Sequence, residues 1–386
     1  MTSLLARARQ VGSEVVARHA ESVDRDARFP HEAFDALKRA KLLGVMVPRA
    51  HGGDGASITD IVAICHALGQ HCGSTAMIYA MHQIQVACIV RHGQASAWHR
   101  TLMERLSGEQ LLLASATTEA GIGGDVRSSL CAIERQGERF SLRKNASVIS
   151  YGADADVILV TARRAPDAPA SDQSIVPVLK GDYTLERTSG CDTMGMRGTC
   201  SDGFVLRATG DIAQVLPTPY AEISAQTMLP TTHLTWAGVW LGIASDAVAR
   251  ARAFVRAEAR RKPGTTPSGA VRLAETVSLL QFMRANVVAA AHDYARAMEA
   301  AETLTALSFA VEMNNVKTGS AQMATAVINH ALLVCGLAGY RNDGPHSVTR
   351  HLRDAHSAAV MINNDRILAN SAGLLLALKD EPELFA

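Results

Sequence analysis

The sequence predicts an α+β fold in three consecutive parts. An N-terminal helical domain spans residues 1–112, a strand-rich small barrel or sandwich spans 113–221, and a C-terminal helical bundle spans 222–386. Three observations carry this. Apolar residues recur at helical spacing at both ends of the chain, as at Phe34, Leu37, Ala40 and Leu43, and again at Trp236, Val239, Trp240 and Ile243. Short β-branched runs, VILVTA at 157–162 and SIVPVL at 174–179, sit between Gly, Asp and Pro in the middle. Hydrophobic residues make up 48% of the chain but aromatic ones only 4%, which favours close-packed Ala-rich helices.

Each part has its own punctuation. Pro30 stands at the first turn of a helix that runs through Phe34. PRAHGGDG at 48–55 is a loop, after which Ser57 or Thr59 caps a helix containing Ile61, Ile64, Cys65 and Leu68. Residues 73–92 read as a further apolar helix carrying His82. In the last third, 257–270 (AEARRKPGTTPSGA) breaks the helical pattern. Helices are expected over 271–302 and 303–337, then a GLAGYRNDG loop and a last helix from about 347.

Bulk properties narrow the function classes. Lys+Arg is 38 and Asp+Glu 37, so no electrostatic case exists for nucleic acid or an acidic membrane as partner. The seven cysteines are scattered and form no CxxC pair; they read as buried free thiols in a reducing compartment. Arginines interrupt MTSLLARARQ, and no run reaches membrane-spanning length, so a soluble cytoplasmic protein is expected. No His or Cys spacing suits a metal site.

The most informative stretch is Thr117 to Asp125, TTEAGIGGD, at the helix-to-strand boundary. Two hydroxyls, three glycines and two acids describe either an ordinary connection or a loop that lies against a ligand, where glycine permits close backbone approach. Further motifs follow the same order as in a known family. PRAHGGDGASITD, ATTEAGIGGD, SVISYGADADVILV, MGMRGTCSDGFVL and GLAGYRNDGPHSVTRHLRDA together resemble the acyl-CoA dehydrogenase superfamily over nearly the whole chain. Ala120 and Gly124 stand where the family loop has Pro and Ser.

The resemblance implies an N-terminal helical domain, a central small β-barrel, a C-terminal four-helix bundle and a homotetramer. It also implies a bound flavin, FAD with FMN left open. The implied cofactor-binding residues are Thr117, Thr118, Gly123 and Gly124 in the loop, Ile149 and Ser150 on the flavin-side strand, and Arg197. Arg256, Arg260 and Arg261 lie near the place where the family's Arg grips the pyrophosphate, but their spacing differs and that contact stays unassigned; Arg260 is counted among the cofactor-binding candidates. Gly336 and Leu337 would reach the flavin of a neighbouring subunit. Ser150 would sit near N5; the alternative is a strand-end hydroxyl bonded to its own backbone.

In most such dehydrogenases a Glu shortly after Arg-Asp-Ala removes the substrate α-proton. Here that motif is Arg353-Asp354-Ala355, and counting along the pattern places Ile362 at the Glu position. A second carboxylate position on the first bundle helix holds Thr232, with His233 beside it. Asp365 is the nearest acid, and His82, His233 and Asp365 are the catalytic candidates, with His82 equally readable as a core histidine. The segment resembles a branch that includes flavin-dependent monooxygenases using reduced flavin and O2. Three functions stay open: an acyl-thioester dehydrogenase, a monooxygenase, and a non-catalytic flavin-binding or partner subunit. The expected partners are a small-molecule or acyl-thioester substrate, and a flavin reductase or electron-transfer flavoprotein.

Overall fold

A computed structural model describes residues 3–379. Helices α1 (Leu4–Val11) and α2 (Ala17–Arg25) are joined through a π-turn and followed by α3 (His31–Arg39), α4 (Ile58–Gly69), α5 (Gly73–His92) and α6 (Ala97–Glu109). Ser57 caps α4 in a reciprocal box with Asp60, satisfying the helix's first free N–H groups. Helix α5 is buried nearly all round and forms the axis of this part.

Seven strands follow: β1 (Leu113–Ala116), β2 (Glu134–Gln136), β3 (Arg139–Ser150), β4 (Val157–Arg163), β5 (Gln173–Leu179), β6 (Tyr183–Ser189) and β7 (Ser201–Asp211). They do not close on themselves. Among the described residues they form two open sheets, β1-β4-β5 and β2-β3-β7-β6, so of the expected barrel or sandwich no closed barrel is seen. Closure fails because each sheet has its own edges. Pro177, which cannot donate to a ladder, sits on the edge strand β5. The β3–β7 ladder also jumps between Ala146 and Ile149, leaving Ser147 and Val148 in a bulge.

The C-terminal part contains α7 (Tyr220–Ile223), α8 (Leu229–Arg261), α9 (Ala270–Ala297), α10 (Ala301–Leu304), α11 (Leu307–Cys335), α12 (Leu337–Tyr340), α13 (Thr349–Val360) and α14 (Asn364–Leu375). Helices α8, α9, α11 and α13 pack on one another. Gly238 and Gly242 let α8 approach α4: a Cβ at Gly242 would stand 2.4 Å from His66 O. The single last helix expected from 347 is in fact two. Ile362, a β-branched residue at φ 52°, breaks it in a region that such residues seldom enter. The cysteines also depart from expectation. Cys191 is exposed and Cys200 partly so, because both lie in the connection between β6 and β7 rather than in the core. No helix among the described residues is long and apolar enough to cross a membrane.

Candidate functional site

The strand sheets meet the C-terminal helices along a seam held at two places. At one, the Arg366 guanidinium in α14 donates to Gly123 O in the glycine-rich loop. Gly124 stands at φ 78°, a region that favours glycine, and a Cβ there would lie 2.5 Å from Arg366 Nη1 and displace that guanidinium. At the other, Arg353 donates to Met194 O at 3.0 Å, and Asp354 accepts from Met196 N at 2.7 Å. Burial pushes the Asp354 carboxyl up to about 6, with the Met196 N–H pulling the other way. Arg353 also pairs with Asp24. The Arg-Asp-Ala motif therefore ties α13 to the β6–β7 connection and to α2.

Between these clamps runs a row of hydroxyls. Thr118 Oγ1 donates to Val148 O at 2.9 Å and accepts from Val148 N at 3.3 Å, so it satisfies the backbone groups that the β3 bulge frees. Two residues on, Ser150 Oγ lies 2.8 Å from Ser201 Oγ, which lies 2.8 Å from Thr199 Oγ1, which donates to Met196 O at 2.9 Å. Each hydroxyl has one proton. With Thr199's proton on Met196 O, Ser201 must donate to Thr199 and Ser150 to Ser201. Ser150 is left as an outward acceptor, rather than bonded to its own backbone. Ile149 is wholly buried, so only its backbone could face a ligand.

Other expected site residues are placed differently. His82 is fully buried; Nε2–H donates to Leu43 O at 2.9 Å and Nδ1 accepts from Leu113 N at 3.0 Å. Burial pushes it down to about 4. Both nitrogens are spent, so the active-site reading of His82 is corrected to that of a core histidine that joins α5 to β1 and to the loop after α3. His233 donates Nδ1–H to Met313 O at 3.0 Å and is buried between α8 and α11 with Nε2 unpartnered. Burial first, with the Lys317 charge adding, pushes it down to about 4. Asp365 is exposed in the first turn of α14, where an acid suits the helix dipole. Arg197 donates from Nε to Asp24 O and from Nη1 to Asp192 and Thr193 O, a tie to α2 that leaves the Nη2 donors without a partner among the described residues. Thr117 is half-buried beside Thr118.

Arg260 is exposed at the end of α8. Measured along the helix it is roughly 40 Å from Thr232, at ~1.5 Å per residue. Gly336, at φ 55° and ψ −137°, ends α11 and turns the exposed Leu337 outward; nearby, Val334 meets Gly269 beyond the C-terminus of α8. Arg260, Gly336 and Leu337 thus gather near the C-terminus of α8, apart from the glycine-rich loop.

The loop is organised by Glu119 and Lys144, which are not among the expected site residues. Glu119 is turned inward: it accepts from Ser129 Oγ, Leu130 N and Cys131 N, and pairs with the fully buried Lys144 at 3.2 Å. One available signal was Lys144 at an inward position of the alternating strand RFSLRKNAS.

Two family models match this architecture. "Acyl-CoA dehydrogenase, N-terminal domain" covers residues 2–109 and "Acyl-CoA dehydrogenase, C-terminal domain" covers 223–368, together about two thirds of the chain. The chain belongs to the acyl-CoA dehydrogenase superfamily. Among the superfamily's curated members, cyclohex-1-ene-1-carbonyl-CoA dehydrogenase of Geobacter metallireducens is 28% identical over 95% of both chains. The solved butyryl-CoA dehydrogenase of Megasphaera elsdenii superposes with a TM-score of 0.79 at 20% identity, over 97% of this chain and 99% of that one. Dibenzothiophene monooxygenase (TdsC) of Paenibacillus sp. A11-2 superposes at 0.83 with 17% identity, over 99% of both. The fold is thus shared by dehydrogenases and monooxygenases, and the difference between them lies in the site.

Proposed function

We propose that this superfamily member is a flavin-dependent oxidoreductase whose flavin lies along the seam, and that it works as a monooxygenase on reduced flavin and O2. The observation that carries the second half is the state of the seam's acids. Glu119 is bonded to Lys144 and to backbone N–H groups, Asp354 to Met196 N, Asp24 to Arg353, and Asp125 to Arg127, while Asp365 stands in water. The turn after α13 presents Ile362, and Thr232 is buried with its hydroxyl on Met228 O. A dehydrogenase needs an ionised base within reach of the α-proton; oxygen transfer needs a dry pocket and placed hydrogen-bonding groups instead.

The seam's residues fit a flavin. A planar ring with one polar edge suits the hydroxyl row on one side and exposed apolar Val148, Met194 and Ile362 on elements around it. Bound there, the flavin supplies the electrons and the site of O2 activation. The chain's own part is to hold the ring edge at Thr118 and Ser150 and to keep water off with the apolar side chains. Ser150, left as an acceptor, suits an N–H of the reduced ring. We expect Ser150→Ala to weaken reduced-flavin binding by about tenfold, the worth of one hydrogen bond, and oxidised-flavin binding by less. Anaerobic and aerobic fluorescence titrations compare the two; equal losses remove this role.

Arg260, Gly336 and Leu337 lie too far along the bundle for the flavin of their own chain. They fit contact with a neighbouring copy, in a homo-oligomer that we take to be a tetramer. FAD is favoured if Arg260 there meets a pyrophosphate, FMN if it does not. A flavin reductase is the partner this reading requires.

The second reading, acyl-thioester dehydrogenation coupled to an electron-transfer flavoprotein, rests on the activities for which the relatives are named. An anaerobic absorbance titration of flavin-loaded protein with acyl-CoA thioesters separates the two. We expect no bleaching, and O2-dependent reoxidation after reduction by a reductase. Bleaching by any thioester would overturn the monooxygenase reading. A chain that binds no flavin would leave a partner-subunit role.

A further inference from the structure

The turn between α13 and α14 is held by a side chain from the middle of the bundle. Lys317 in α11 is completely buried, yet its ammonium meets three acceptors: Ala358 O at 2.9 Å, Ile362 O, and Asn364 Oδ1 at 2.6 Å. The Trp240 ring centroid lies 5.8 Å away on α8. No carboxylate pairs with Lys317 among the described residues; its charge is met by three carbonyl oxygens and the face of the Trp240 ring. The groups around it are His233 and Trp240 from α8, the end of α13, and Asn364 from α14. Three ammonium protons meet three acceptors, which is the full complement.

The place of those acceptors matters. Ala358 O is one of the carbonyls that a helix end leaves free. Ile362 stands at φ 52°, where a β-branched side chain is strained and persists only if its surroundings over-determine it. Asn363 then caps α14 by accepting from Asp365 N and Arg366 N, and Arg366 reaches Gly123 O. A continuous set of bonds runs from the bundle core, through the strained turn, to the glycine-rich loop.

We propose that Lys317 is the positioning residue of the seam: its single ammonium holds the α13–α14 turn, and through Arg366 and Gly123 it holds the loop against which the flavin rests. The assignment of a flavin to the seam rests on the preceding reading; the hold on the turn does not. Burial pushes the Lys317 amine down to about 8, so its proton is within reach of an ordinary titration, whereas a neutral amine keeps two donors for three acceptors.

The test is hydrogen exchange by mass spectrometry on flavin-free full-length protein, comparing wild type with Lys317→Met and Asn364→Ala. We expect Lys317→Met to raise exchange about tenfold or more in peptides spanning 358–366 and 119–126, with α9 unchanged. Asn364→Ala, which removes one acceptor and leaves the ammonium, should give a smaller rise in the same peptides. If Lys317→Met unfolds globally, wild type between pH 7 and 9.5 supplies the answer. Exchange corrected for its intrinsic pH dependence should rise in those two segments alone. Unchanged exchange in either segment, or a rise spread evenly over the chain in the pH series, overturns the proposal. Flavin titration of the same proteins distinguishes the two ideas. Local opening in a wild-type chain that never binds flavin would defeat the functional reading and leave Lys317 in place.

Discussion

Lowering the pH from 7 towards 4 is expected to unfold the protein, and more steeply than carboxylate protonation alone would produce. His82, His99 and His233 are buried, and together with His66 and His92 each is pushed down to about 4, in every case first by burial. In the unfolded chain a histidine takes up its proton near its ordinary value of about 6.5. Between those limits the unfolded state binds protons that the folded state refuses, so stability falls as pH falls through this window. For His82, whose two ring nitrogens are already committed, the full cost is about 3 kcal/mol. Three acids raised first by burial, Asp154 among them, act in the opposite sense, while His71 and His351 are lowered first by burial and add to the loss. Asp354, pushed up to about 6, and Glu312, pushed up to about 7 by burial and its neighbour Asp293, take up protons more readily when folded. The five histidines set against Asp354 and Glu312 alone leave an imbalance of about three protons, or roughly 4 kcal/mol per pH unit at its steepest. Set against a total stability of about 5–15 kcal/mol, that is enough to cross the transition before pH 4. Far-UV circular dichroism and urea midpoints across the range would measure it, and His82→Gln should reduce the slope by one proton. A midpoint that holds steady from pH 6.5 to 4.5 would show that these histidines are not held neutral.

The same residues show what a sequence can and cannot display. The three-part order is written in local periodicity, and the strands at 157–163 and 173–179 in β-branched runs that end up buried on both faces. The limits of α5 at Gly73 and His92 are equally local. The loop at 117–125 and the segment at 353–365 are visible as motifs for the same reason: glycines and charged pairs mark places where backbone conformation is special. What the sequence leaves open is where a polar group's partners come from. His82 finds them thirty and more residues away in Leu43 and Leu113, and no spacing along α5 reveals that both nitrogens will be satisfied. Arg197 reads as a ligand contact, and no spacing shows that the end of α2 takes its Nε–H. The absence of closure in the strand domain likewise follows from a bulge and an edge proline, features of pairing rather than of pattern. Lys317 is the hardest case. It lies in an apolar helix with no acidic neighbour at helical spacing, and its partners are carbonyls, which any sequence has.

Lys144→Met should be among the most damaging single changes in the strand domain, although Lys144 touches no expected ligand. Its ammonium donates to Glu119 Oε2 at 3.2 Å, Thr161 O at 2.8 Å and Thr161 Oγ1 at 3.3 Å, with no exposure to water. Removing one partner of a buried pair strands the other, which costs about 3–5 kcal/mol. The stranded group is Glu119, whose two oxygens also organise Ser129, Leu130 and Cys131. Loss therefore spreads along 117–131, including the segment that brings Thr118 to the bulge at Val148. Glu119→Gln with Lys144→Met removes both charges while keeping an amide oxygen for the backbone donors. We expect that pair to cost about 1–2 kcal/mol, less than Lys144→Met alone, because no uncompensated charge is left inside. Denaturant unfolding of the three variants gives the comparison, and flavin affinity should follow the same order. If the double variant is as unstable as Lys144→Met, the damage comes from lost packing of the lysine stem and not from a stranded carboxylate. In the first outcome the acid of the TTEAGIGGD loop holds the scaffold, and the loop's ligand-facing surface is left to its hydroxyls, its glycines and its backbone.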